Sequence, residues 1–193
     1  MSVRRSALTV SAVLAALATG VAPAADAAPA TASEILNCTV NAAVTFDPAL
    51  SAGPEATTVT IGGTATGCTD SQSGPTAVVG GTVTATLTFG TLSCNPLTVP
   101  ALVPGSTATF TWNLQNGTQA SSTITDIAVV EVDGAGTLTG TVTGSSSRLA
   151  GETLTAVLNI DSDQPIIDNC IDVLAGIGQP IAHSTLTAAT AFS

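Results

Sequence analysis

Apolar side chains alternate with threonine along most of this chain, and a period of two is the mark of a strand with one buried face. In Thr82–Thr91, Val83, Ala85, Leu87 and Phe89 alternate with Thr82, Thr84, Thr86 and Thr88. In Thr107–Leu114, Ala108, Phe110, Trp112 and Leu114 alternate with Thr107, Thr109, Thr111 and Asn113. Cys38–Phe46 places Cys38, Val40, Ala42, Val44 and Phe46 on one face, and similar patterns mark Thr57–Ile61, Thr137–Thr143 and Thr153–Ile160. Ser122–Val132 and Ile181–Phe192 are longer and less regular, which suggests a bulge. Threonine is β-branched and polar, so it favours a strand and tolerates water without carrying charge. That is how a chain with only 8% charged residues can present a hydrated surface.

Turn clusters separate these runs: Asp47-Pro48, Gly53-Pro54, Gly62-Gly63, Gly74-Pro75, Gly80-Gly81, Pro104-Gly105, Asn116-Gly117, Asp133-Gly134, Gly144-Ser145 and Gly151. Asn116-Gly117 and Asp133-Gly134 suit tight hairpins. Many short strands punctuated this often predict an all-β fold, and the expectation is an antiparallel immunoglobulin-like β-sandwich with two disulfides. One segment departs from the pattern. Asp163-Gln164-Pro165 opens a stretch with apolar residues at 166, 167, 170, 171 and 174 and closes at Gly176, the start and stop signals of a short helix.

The N-terminus reads as an address. Arg4 and Arg5 precede an apolar run from Ala7 to Ala18, followed by Gly20, Pro23 and a small-residue stretch through Ala30. This is the layout of a secretory signal peptide, with cleavage expected after Ala27 and, as second choice, after Ala30. The apolar run is too short for the ~20 residues that span a bilayer. Val3 and Ala7 do not fit a twin-arginine signal, and Asn37 before Cys38 does not fit a lipoprotein site. The expected organisation is a signal peptide over 1–27 and one secreted β-sandwich domain over 28–193, released or loosely wall-associated. Without residues 1–27 the chain has 166 residues, with twelve acids against Arg148 alone, a net charge of −11.

That balance excludes several classes. A nucleic-acid binder needs a basic footprint, and an imidazole-ligated metal site needs more nitrogen than His183 alone. Low hydrophobicity, the signature of disorder, is the opposite of a mean hydropathy of +0.50. All four cysteines, Cys38, Cys68, Cys94 and Cys170, lie in the exported part, and an even count in an oxidising compartment predicts two disulfides. Of three pairings, Cys38–Cys68 with Cys94–Cys170 is favoured. No C-x-x-C occurs that would suggest redox or metal chemistry.

No catalytic set assembles in the sequence. His183 lacks a G-x-S-x-G serine and shares a strand face with Thr185 and Thr187, which makes it a surface imidazole. Glu34, Glu55, Glu131 and Glu152 could serve glycoside hydrolysis, but nothing in sequence sets two of them across a cleft. Trp112 reads as a core residue beside a disulfide rather than a sugar platform. Asp161, Asp163, Asp168 and Asp172 are the best calcium candidate, yet the glycine of a tight Ca²⁺ loop is missing, so they read as loop acids with a helix cap. Asn37-Cys38-Thr39 and Asn116-Gly117-Thr118 match the N-glycosylation pattern, which carries no meaning behind a bacterial type of signal. No cofactor and no catalytic or metal residue is expected.

The order of features resembles a group of small secreted β-rich proteins common in high-GC Gram-positive bacteria. The resemblance rests on Phe46-Asp47-Pro48-Ala49-Leu50, Thr57–Ile61, Leu92-Ser93-Cys94, Phe110-Thr111-Trp112-Asn113, Gly140–Thr143 before Ala150-Gly151-Glu152, and the late Cys170. It covers nearly the whole mature chain, implies the sandwich and the disulfides, and implies no activity. Two functions remain as expectations. The first is a non-catalytic extracellular interaction or structural module, with a protein, the cell wall or a small molecule as partner. The second is a small-molecule carrier analogous, at fold level only, to the enediyne-antibiotic apoproteins.

Overall fold

Alternation becomes strands, and most of the strands are longer than the sequence suggests. In the computed structural model, described over residues 34–95, 102–132, 135–144, 148–158 and 164–193, the elements are β1 (Leu36–Leu50), β2 (Glu55–Asp70), β3 (Val78–Leu92), β4 (Thr107–Leu114), β5 (Gln119–Val132), β6 (Ala135–Thr143), β7 (Thr153–Leu158), α1 (Gln164–Leu174) and β8 (Ile181–Phe192). The expected signal peptide, the calcium candidates Asp161 and Asp163, and the expected Asp133-Gly134 turn lie outside the described residues.

Each strand pairs antiparallel with its neighbour in sequence, and β8 returns to pair with β1. The closing ladder runs from Leu36↔Phe192 to Thr45↔His183, with a register shift before Leu50↔Ile181. The sheet is therefore a closed eight-stranded up-and-down barrel, and this corrects the expected immunoglobulin-like sandwich. A sandwich stacks two sheets with free edges; here one sheet closes on itself, which removes the edges. Both architectures need the same alternation, so alternation could not choose between them.

Glycines inside two strands resemble turns in the sequence. Gly62-Gly63 and Gly80-Gly81 read as turns but lie inside β2 and β3. A Cβ on Gly81 would sit 2.5 Å from the Thr111 carbonyl oxygen and 3.2 Å from the Trp112 Cα, and one on Gly63 would overlap the β1 backbone at Asn41 and Ala42. These glycines let neighbouring backbones approach where a barrel strand bends, so they mark curvature and not chain reversal. The hairpin at Asn116-Gly117 is as expected. Gly117 has φ of 81°, and Asn116 Oδ1 accepts from the Thr118 N–H at 2.9 Å. The bulge anticipated in β5 occurs as a register shift between Thr125 and Ala128, with Asp126 at φ of 52°.

Inward positions are apolar and outward ones polar. In β1, Leu36, Cys38, Val40, Ala42 and Val44 are buried while Asn37, Thr39, Asn41 and Thr45 are exposed. This polarity is the reverse of a transmembrane barrel, whose apolar band faces outward. No helix among the described residues is long and apolar enough to cross a membrane. Both disulfides form with the favoured pairing. Cys38–Cys68 joins adjacent strands β1 and β2, and Cys94–Cys170 ties the chain just past β3 to α1.

One end of the barrel is filled. Trp112 is 0% exposed, stacked on Phe110 at 4.8 Å and edge-on to Phe192 at 5.5 Å. Its indole N–H donates to Ser122 Oγ at 2.8 Å, and that hydroxyl donates in turn to the Arg148 carbonyl. Leu149, in the left-handed region at φ of 65°, is buried at this same end. Trp112 is a core residue, as its strand pattern indicated. The Arg148 guanidinium pairs with Glu34 and with Asp70, the latter at 2.8 Å. Burial lowers the Arg148 pKa, but a guanidinium starts high enough to stay charged at neutral pH.

Candidate functional site

The other end is not filled. An eight-stranded barrel has an interior just wide enough for its own side chains or for one small ligand, so inward residue size decides which. At mid-barrel the inward positions include Ala85, Ala108, Ala156 and Ala188, all buried and all short. A pocket of about 50 Å³ lies among them. Nearer the ends of β1, β2 and β3 the wall is branched and aromatic, from Val44, Phe46, Val59, Ile61, Leu87 and Phe89, and it surrounds a cavity of about 300 Å³. The two spaces share Ile61, Leu138, Leu158 and Leu186, so they lie along one channel. Ile61, Leu158 and Leu186 line it yet are only half-buried, which shows that the channel opens to solvent.

Its lining is apolar apart from Thr185 at the wall and Thr190 deeper down. The Thr190 hydroxyl is already committed, donating to the Cys38 carbonyl at 3.0 Å. The surface therefore offers dispersion contacts and water exclusion, with no nucleophile, acid or base among its residues. Water in such a space lacks the two to four polar partners that would hold it, so an apolar guest is favoured over solvent.

Beside this mouth lies a second small core of Leu50, Cys94, Val173 and Ile181, with Phe46, Leu92 and Cys170 packed against it. Phe46 and Leu92 belong to both the cavity wall and this cluster. The Cys94–Cys170 disulfide thus anchors α1 to residues that shape the opening. A second groove, of about 310 Å³, is lined by Leu102–Ser106, Asp126 and Ile127, next to the start of the short β4.

The residues singled out in the sequence fall elsewhere. His183 is exposed, its Nδ1 3.3 Å from Thr45 Oγ1 on the neighbouring strand. Glu34 and Glu152 meet at the filled end, where the Glu34 N–H donates to Glu152 Oε1 at 2.9 Å, while Glu55 starts β2 at the open end. Asp172 is exposed on α1, and its carbonyl accepts from the N–H groups of Ile177 and Gly178. Among the described residues no group of three or more His, Cys, Asp or Glu gathers as a metal site. Sequence reading missed the cavity because its residues look like ordinary core. The available signal was the run of inward alanines, which only a known ring size turns into missing volume. The chain matches no protein family, curated protein or solved structure with which it was compared.

Proposed function

We propose that this protein is an exported carrier that holds one small apolar molecule inside its barrel. The observation that carries the reading is the apolar cavity of about 300 Å³, open at one end and continuing toward mid-barrel. Taking the roughly 30 Å³ of a liquid water as the measure of a methylene, it accommodates about ten such groups. At about 0.8 kcal/mol per buried methylene the gross gain is about 8 kcal/mol, against which the costs of association are set. The carrier reading no longer leans on the enediyne apoproteins, since the sandwich analogy fails. It rests on the interior of a closed barrel.

The test is displacement of a solvatochromic dye, together with native mass spectrometry of the protein purified from its own culture medium. A dye shifted to the blue, displaced by a medium-chain alcohol and lost in Leu186→Trp, is the expected result. Leu186 lies where both spaces meet, and an indole there occupies the channel. Dye fluorescence unchanged by the protein would falsify the reading. The extracellular interaction module would then be left, supported by Ile171, Leu174 and Ile177, which stand 58%, 46% and 77% exposed on and just after α1.

Export is part of the proposal. Two disulfides are compatible with an oxidising compartment. The charged start and apolar run of residues 1–27 supply the signal. N-terminal sequencing of the exported protein should begin at Ala28, and a chain that retains Met1 contradicts it.

A further inference from the structure

Resting on the carrier reading, we infer that the guest is an amphiphile with a cationic head, its tail in the barrel and its head at the mouth, and that fatty carboxylates are rejected. The cavity wall offers a head group no charge partner, so a charged head must stay at the opening. What waits there is acidic. Asp47 follows Phe46, Glu55 pairs with Leu92, and Asp172 precedes Val173; all three acids are exposed, and each adjoins a residue of the cavity wall or of the small core beside it.

A counter-charge for a carboxylate is lacking. Beyond residue 5 the chain contains no Lys and one Arg, Arg148, and that guanidinium is spent on Glu34 and Asp70 at the filled end. From Leu36 to Phe46 along β1 the chain spans roughly 33 Å at about 3.3 Å per residue, or roughly 25 Å along the axis of a tilted barrel. At 20 mM salt the screening length is about 20 Å, but the Glu34 and Asp70 carboxylates more than offset the guanidinium, so this end presents no net positive charge to the mouth. His183, paired with Thr45 in the β1–β8 ladder, is the one imidazole toward this end.

The experiment compares three probes with one tail, dodecyltrimethylammonium, dodecanol and dodecanoate, each below its micellar concentration. Calorimetric titration would use the exported, oxidised protein at pH 8 and 20 mM salt. With three acids each acting over about 10 Å, the ammonium is expected to bind at least about tenfold more tightly than the carboxylate, with the alcohol between. The gap should shrink in 0.5 M NaCl and in Asp47→Asn/Glu55→Gln, and all binding should vanish in Leu186→Trp. Dodecanol binding with ammonium and carboxylate equal, or carboxylate tighter, overturns the charge inference and leaves the carrier reading standing. Failure of all three probes overturns both. Ammonium binding that survives Leu186→Trp places the cation on the acidic outer surface and overturns the inference as well.

Discussion

Replacing Arg148 by Met is expected to cost about 3–5 kcal/mol of folding stability, the range for removing one partner of a buried ion pair. The Asp70 side chain is 2% exposed and that of Glu34 15%, so neither carboxylate can recover its hydration when the guanidinium goes. Asp70 keeps two partners, since its oxygens also accept from the N–H groups of Gln72 at 2.9 Å and Val78 at 2.8 Å. Those bonds hold the carboxylate in place, where it remains a charge without a cation. Arg148→Lys keeps the charge but not the fork that reaches two acids, and should lose less, about 1–2 kcal/mol. Urea denaturation followed by the fluorescence of Trp112, the single tryptophan, measures both. If Met and Lys destabilise equally, the network acts by packing and the electrostatic account is wrong.

Trp112→Ala is the other large effect, about 3–5 kcal/mol for truncating a large buried aromatic. The indole is fully buried and contacts both Phe110 and Phe192, so its loss opens a void that three neighbouring strands cannot easily close. For a domain of this size each kcal/mol moves Tm by roughly 2–4 °C, which puts the expected drop at about 6–20 °C. Trp112→Phe retains a stacked ring and loses the bond to Ser122 Oγ, for about 1–2 kcal/mol. Circular dichroism replaces fluorescence as the probe. The Arg148 and Trp112 variants should not add, because Ser122 links the indole N–H to the Arg148 carbonyl. Strict additivity would show that the two features are independent.

Much of the local structure is readable without coordinates. The alternation in Thr107–Leu114 and Ile181–Phe192 matches β4 and β8 end to end. The helix signals at Gln164-Pro165 and Gly176 bracket α1, with Gly176 at φ of 73° just beyond it. Each of these is decided by neighbours a few residues away. The failures share a different character. Gly63 and Gly81 are glycines because a neighbouring strand passes close by, and a reading along the chain cannot distinguish that from a turn. The cavity was illegible for the same reason, since Ala85, Ala108, Ala156 and Ala188 come from four different strands.

The sequence by itself determined which side chains point inward, because a strand's period of two permits only one choice once one face is apolar. It also determined that the outer surface would be threonine, and that beyond residue 5 one arginine would face every acid. Tertiary structure alone decided that β8 meets β1. Closure depends on the tilt and stagger accumulated over eight strands, and no local segment carries that sum. Closure then set the width of the interior, and the difference between that width and the side chains available to fill it is the cavity.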